Sequence, residues 1–288
     1  MAMQAVPELV THDGLAIYRL GDGEPLLLFP YPHGSTLHPM AENPLARLLT
    51  GLGRQVVTFD PPGAFRSTRP MRCDLAEMLD CAVEALQVHQ IKAPLDVVGH
   101  SMGSLCALGL AIERPQWVRR LVLIGSMSGW PAVFRWSTPH NWRPLHDREW
   151  WQCMWLGTRQ IVGLGNLAVH KRLDNLIKTA SFVDKRYVEL WTVEPGDSHR
   201  PPPARAQWLK AERQVDFARR LSEVHCPTLL MVGRYDPQTP LVCSEELAAG
   251  IRGSQLLIFE HSGHSPFIEE SDLFRAAVAD FLATSPGV

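Results

Sequence analysis

One serine, framed by glycines, has the surroundings of a nucleophile. Val97 to Ser104 reads VVGHSMGS, so Gly99-His100-Ser101-Met102-Gly103 is a complete G-x-S-x-G pattern. It lies between an apolar run expected as a strand and a run expected as a helix. That context predicts a sharp turn that strains the Ser101 backbone and lifts its hydroxyl above a sheet, with the glycines permitting close approach. The Met102 N–H, at the helix start, is then free to donate to a developing oxyanion. A serine hydroxyl at neutral pH is a poor nucleophile and needs a base oriented by an acid. Asp236 follows an apolar run ending at Gly233, where a strand-end acid belongs. Two histidines compete for the base in Glu260-His261-Ser262-Gly263-His264-Ser265-Pro266. His264, after a flexible glycine and before Ser-Pro-Phe, takes the role, and His261 reads as a surface loop residue. His100 packs at the turn rather than reacting, because a strained turn cannot aim both side chains at a substrate.

The elements that must position these residues follow from periodicity. An Asp13-Gly14 hairpin turn joins Leu9–Thr11 to Leu15–Leu20. Short apolar runs at Pro25–Pro30, Gln55–Asp60, Leu95–Val98, Leu121–Ile124, Thr228–Val232 and Gln255–Phe259 read as buried strands. Helical spacing occupies Met40–Leu52, the stretch after a capping box at Asp74 and Glu77, the run from Met102 to the stop at Pro115, and Asp272–Leu282. Such alternation predicts the α/β class: a mostly parallel sheet with helices on both faces. The alternation breaks at Gly125 and resumes at Thr228. The expected domains are therefore a core of residues 1–126 and 222–288 and an inserted helical cap of residues 127–221. Eight of the nine tryptophans fall in that insert.

Composition narrows the function classes. The chain has 288 residues, 45% of them hydrophobic, with 28 basic against 30 acidic side chains and a net charge of −2. No overall field attracts nucleic acid or an anionic membrane. The span Met127–Arg213 carries thirteen basic and eight acidic residues, a local surplus read by default as solvated surface charge, with steering of a carboxylate- or phosphate-bearing substrate as the alternative. The start lacks a basic n-region and a long apolar h-region, so it does not read as a secretory signal. The longest apolar run, Leu105–Ile112, is far short of the roughly 20 residues of a membrane span. Six scattered cysteines without a C-x-x-C pair read as reduced thiols. A cytoplasmic protein is expected, with no nucleic-acid or membrane partner. There is no metal-ligand spacing and no glycine-rich phosphate loop after a strand, so no metal and no cofactor are expected.

With these residues in place, the chain resembles α/β-hydrolase-fold serine hydrolases with a helical cap over residues 8–126 and 222–285. Asp60-Pro61-Pro62-Gly63-Ala64-Phe65-Arg66-Ser67 is similar to that family's D-x-P-G-x-G-x-S turn. The resemblance implies acyl transfer to water by Ser101, with His264 as general base oriented by Asp236. A serine nucleophile sets the chain apart from the haloalkane dehalogenase and epoxide hydrolase branches, which use aspartate. The loop His261–Glu270 is closer to esterases, C–C bond hydrolases and proline iminopeptidases. The basic surplus of the insert argues against the last of these, whose substrate ammonium needs acidic residues.

The oxyanion loop departs from the family. Where His-Gly-x is usual, this chain has Phe29-Pro30-Tyr31-Pro32-His33-Gly34-Ser35, similar to the F-P-Y-A-G-G-S of type II thioesterases. If Pro30-Tyr31 stand for His-Gly, the second donor falls on Pro32, which has no N–H. If His33-Gly34 is the motif, the donor is Ser35. A bend letting Tyr31 or Ser35 supply the N–H is the reading adopted, because a missing donor costs roughly 3–4 kcal/mol of transition-state stabilisation. His33, Gly34, His100, Trp130, Trp136 and Trp155 are the candidate substrate contacts. The aromatic insert predicts a bulky, largely apolar substrate. The expected partner is a small-molecule acyl substrate, with a carrier-bound thioester as the thioesterase-like variant. Two alternatives stay open: a biosynthetic acyl-transfer or cyclisation enzyme, and a non-catalytic ligand receptor on a hydrolase fold.

Overall fold

The computed structural model describes residues 8–32, 43–132, 147–161, 164, 167–190, 210–211 and 213–284. Eight strands form one sheet in the order β1-β2-β4-β3-β5-β6-β7-β8. They are β1 Leu9–Val10, β2 Ala16–Leu20, β3 Glu24–Leu28, β4 Arg54–Phe59, β5 Leu95–His100, β6 Val118–Ile124, β7 Thr228–Gly233 and β8 Gln255–Phe259. From β4 to β8 every pairing is parallel, and the Asp-Gly hairpin adds β1 and β2 antiparallel at one edge. The predicted α/β class is therefore the observed one.

Alternation along the strands divides the core in two, as a period of two requires. Leu27, Val57, Val97, Leu121, Leu123 and Leu230 face α2 (Leu75–Val88), α3 (Met102–Glu113) and α7 (Leu241–Gly250). Leu26, Leu28, Val56, Val98, Val122, Ile124 and Met231 face α1 (Pro44–Gly51) and α9 (Ser271–Ala283). A strand buried on both faces must be apolar throughout, which is why these runs read as continuous rather than alternating.

The helix ends follow their side chains. Asp74 caps α2, its carboxylate accepting from Glu77 N at 2.6 Å. Glu77 reaches back to Arg72 N and Cys73 N, a wider clasp than the predicted reciprocal box. Asn43 caps α1 by accepting from Leu45 N at 2.8 Å. The expected start of that helix at Met40 lies outside the described residues. Strand β6 begins three residues before the predicted Leu121. Its Arg119 and Arg120, with Arg54, surround the buried Asp96 carboxylate of β5. Helix α7 has no counterpart in the sequence reading, because LVCSEELAAG lacks a single apolar stripe.

In the insert, α4 (Asp147–Ile161) packs on α5 (Leu167–Ala180) through Cys153, Leu156, Val169, Leu173 and Ala180. A short α6 (Arg186–Leu190) follows. The two ends of the insert behave differently: Met127, Ala132, Phe217 and Leu221 pack into the core over α3. Helices α8 (Pro266–Glu269) and α9 complete the chain. Among the described residues no helix is long and apolar enough to cross a membrane, and no group of three or more His, Cys, Asp or Glu is placed to hold a metal ion.

Candidate active site

Strand order reverses between β3 and β5, and the carboxyl ends of flanking strands at such a point leave a crevice open to ligands. Ser101 stands at the end of β5, where the chain leaves the sheet and enters α3. Its φ of 53° and ψ of −126° are a strained conformation for a residue with a Cβ. The surrounding structure holds it there: Ser101 N donates to Ile124 O at 2.9 Å, and Ser101 O accepts from Ser104 N at 2.9 Å. A Cβ on Gly99 would lie 2.5 Å from Gly103 O, and one on Gly103 would lie 2.8 Å from Phe29 O. Both contacts are with backbone, so the two glycines are what let α3 start against the exits of β5 and β3. As the first residue of α3, Met102 has an N–H with no intrahelical acceptor, placed next to Ser101.

Asp236 and His264 come together from the exits of β7 and β8. The His264 Nδ1–H donates to Asp236 Oδ2 at 2.8 Å. The carboxylate is 2% exposed. Its Oδ1 also accepts from Gln238 N at 2.8 Å and Thr239 N at 3.0 Å, and Oδ2 accepts from Thr239 Oγ1 at 2.8 Å. Burial works to raise the Asp236 pKa, but the imidazole and the donors at Thr239 outweigh it and hold the carboxyl below its ordinary value. His264 also lies beside His100, the residue before Ser101, with ring centroids 4.7 Å apart. Competing His261 is exposed, and its N–H donates to Glu270. The structure thus gathers Ser101, Met102, Asp236 and His264 at the carboxyl ends of β5, β7 and β8.

Two glutamates that the sequence reading left without a role anchor the loop that carries His264. Glu270 Oε2 accepts from His261 N at 3.0 Å and Ser262 Oγ at 2.6 Å. Glu269 Oε2 accepts from Gly263 N at 2.6 Å, while its Oε1 accepts from Val183 N at 2.7 Å and Asp184 N at 3.0 Å. His264 N donates to Ser181 O at 2.8 Å, and Gln238 Nε2 donates to Ser181 Oγ at 2.8 Å. The helical insert therefore touches the loops of both Asp236 and His264 just past the end of α5. The repeated acid at the end of HSGHSPFIEE was the visible signal, though nothing in it said which donors it would meet.

The remaining expected site residues divide. Tyr31 is buried at the exit of β3, and its hydroxyl lies 2.6 Å from His100 Nδ1. His100 does not line a binding surface as expected: it is 2% exposed, and both ring nitrogens are engaged inside the protein. Trp130 packs against the core at the exit of β6, with the Arg213 guanidinium 5.8 Å from its ring centroid. Trp155 is 65% exposed on α4. His33, Gly34, Ser35 and Trp136 lie outside the described residues. In the loop after β4, Asp60 accepts from Tyr18 Oη at 2.6 Å, and Phe65 holds φ of 50° where the family turn has glycine.

This fold and turn match a known family. The family model described as alpha/beta hydrolase fold matches residues 27–271, and the chain belongs to that family. Among curated proteins, it is 30% identical over 233 residues to a protein named as a carbamate hydrolase, RutD, from Klebsiella pneumoniae (strain 342). That match spans 80% of this chain and 81% of the relative. It is 27% identical over 244 residues to the 2-hydroxy-6-oxononadienedioate/2-hydroxy-6-oxononatrienedioate hydrolase of Paraburkholderia xenovorans, spanning 82% and 78%. The esterase EaEST from Exiguobacterium antarcticum superposes with a TM-score of 0.72 at 20% identity, covering 95% of this chain and 97% of that one. An alpha/beta fold family hydrolase from Bacillus anthracis superposes with a TM-score of 0.75 at 20% identity, covering 94% and 96%.

Proposed function

We propose that the protein is a cofactor-independent serine hydrolase, cleaving an ester, thioester or related acyl bond of a bulky, largely apolar small molecule. The observation that carries this reading is the strained Ser101 turn beside a His264 whose Nδ1 is committed to a buried Asp236. With Nδ1 protonated, His264 Nε2 is left as a base, which is the state a general base requires. Ser101 Oγ attacks the acyl carbon while its proton passes to His264 Nε2. Oxyanion charge is met by Met102 N–H and a second donor from the loop at Tyr31 or Ser35. Collapse of the tetrahedral species breaks the bond to the leaving group, which takes the proton from His264 and leaves an acyl-enzyme. Water, deprotonated by His264, then attacks the acyl carbon, releases the acid and restores Ser101.

The names of the curated relatives widen the panel of bonds to carbamates and carbon–carbon bonds beside a carbonyl, since the same machinery addresses an activated carbonyl in each. The test is covalent labelling with a fluorophosphonate, followed by peptide mapping. A single label on Ser101, lost in Ser101→Ala and slowed in His264→Ala, is expected. A folded protein that stays unlabelled refutes the reading and moves the receptor alternative ahead. Product analysis with an acyl ester in water separates hydrolysis from internal acyl transfer.

A further inference from the structure

His100 is a buried titratable side chain next to Ser101 that the proposed mechanism does not use. Its Nε2 lies 2.8 Å from the main-chain oxygen of His264, and its Nδ1 lies 2.6 Å from Tyr31 Oη. A carbonyl oxygen can only accept, so Nε2 carries a hydrogen. Burial, reinforced by the charge of His264, pushes the His100 pKa down to about 3 and leaves the ring neutral. Nδ1 is then an acceptor, and the Tyr31 hydroxyl must donate to it. Proton order is thus set through the imidazole: Tyr31 hydroxyl to His100 Nδ1, and His100 Nε2 to the His264 carbonyl. Ring contacts confine the imidazole further, with Tyr31 and Phe267 edge-on at centroid distances of 5.6 and 5.0 Å.

We infer that His100 is a positioning residue that ties the loop after β3 to the main chain of His264, so that the base and the Tyr31 segment are held against Ser101 by one imidazole. Tyr31 sits where the family's oxyanion loop begins, and His264 sits on the base loop. The two loops come from strands on opposite sides of β5. His100 bonds to both of them, to Tyr31 Oη on one side and to the His264 main-chain oxygen on the other. A neutral ring suits this task because it offers one donor and one acceptor at fixed angles and does not change charge with the catalytic cycle of its neighbour.

The inference rests on the serine-hydrolase reading, and the experiment separates the two. Wild type, His100→Gln, His100→Leu and Tyr31→Phe are compared by second-order rate of fluorophosphonate labelling and by kcat and KM on a p-nitrophenyl ester. Leucine fills space without hydrogen bonds, whereas glutamine keeps an N–H donor for the His264 carbonyl. The expected result is a loss on the order of 10- to 100-fold in labelling rate and kcat for His100→Leu, with KM within about twofold and with glutamine recovering most of the loss, because loss of positioning acts on the reaction step. Tyr31→Phe is expected to fall between them. Nitrogen NMR of the histidine rings should show His100 as the neutral Nε2–H tautomer throughout pH 5–9. Wild-type labelling rates in Tyr31→Phe, or a His100 ring that titrates in that window, overturn the inference. Should His100→Leu fail to fold, Tyr31→Phe and the NMR decide alone. If wild-type protein itself does not label at Ser101, the serine-hydrolase reading has failed rather than this one.

Discussion

Replacing Asp236 by asparagine tests the acid–base pair with the least change in shape. Asp236 receives four hydrogen bonds: two main-chain N–H groups at Oδ1, and the His264 Nδ1–H and the Thr239 hydroxyl at Oδ2. An asparagine must turn its NH₂ toward one of these two sides. Facing Gln238 N and Thr239 N, it opposes two donors that cannot rotate. Facing His264 and Thr239 Oγ1, it meets a hydroxyl that can rotate and an imidazole that can change tautomer. The second arrangement is favoured, and it leaves His264 with Nδ1 as acceptor and Nε2 protonated. The base for Ser101 is then occupied by its own proton. The expected loss in kcat is about ten-thousand-fold, or about 5.5 kcal/mol of transition-state stabilisation, with KM little changed. The assays are ester turnover and fluorophosphonate labelling, with histidine-ring NMR reporting the tautomer. Stability gives an independent readout. The folded pKa of Asp236 is depressed, so its charge contributes stability above the ordinary carboxylate pKa. That contribution is lost as pH falls through the folded value. The variant should therefore show a flatter acid limb in thermal melts than wild type. Turnover within tenfold of wild type, from a folded Asp236→Asn protein, would refute the assignment of Asp236 as the group that orients His264.

Gly103→Ala should destabilise the fold by about 1–3 kcal/mol and lower labelling of Ser101, because its Cβ meets the backbone at Phe29 and Pro30; a melt and labelling rate equal to wild type would contradict that packing. Asp96→Asn leaves three guanidinium groups around a neutral amide at the end of β5 remote from Ser101. It should cost about 3–5 kcal/mol in denaturant unfolding, while labelling of the folded fraction is unchanged. Burial tends to raise the Asp96 pKa, and Arg120, Arg119 and Arg54 bring it below its ordinary value. Its contribution to stability is thus present at neutral pH and lost on acidification, which an acid titration of wild type against Asp96→Asn would read. Glu269→Ala removes the acceptor shared by Gly263, Val183 and Asp184. A loss of about 2–3 kcal/mol and a lower kcat are expected, and faster amide exchange at Gly263 and Val183 would locate the effect.

Much of the fold was legible because strands buried on both faces cannot hide their apolar runs. Gln55–Asp60 and Thr228–Val232 announce themselves by composition alone, and Pro115 marks the end of α3 without tertiary context. The first residues of β6 were not legible, since Arg119-Arg120 looks like loop until Asp96 of the neighbouring strand is seen to neutralise it. Helix α7 is not legible for a related reason: its short, mixed sequence is helical by position between β7 and β8. In the candidate site, Ser101 with its flanking glycines, Asp236 and His264 could be named from spacing after predicted strands. The roles of Tyr31, His100, Glu269 and Glu270 could not, because each depends on a partner contributed by another loop.

Local sequence determines the strand-to-helix turn at Ser101: its glycines leave the room, and the apolar strand and helix on either side supply the frame. It also determines the sheet class, through the spacing of apolar runs. What only the tertiary structure decides is which groups from distant segments meet and in which protonation state. Asp236 and His264 are 28 residues apart, and His100 and His264 are 164 apart. No period or propensity encodes such distances. The order of the strands brings the carboxyl ends of β3, β5, β7 and β8 together, and burial there keeps the His100 ring neutral.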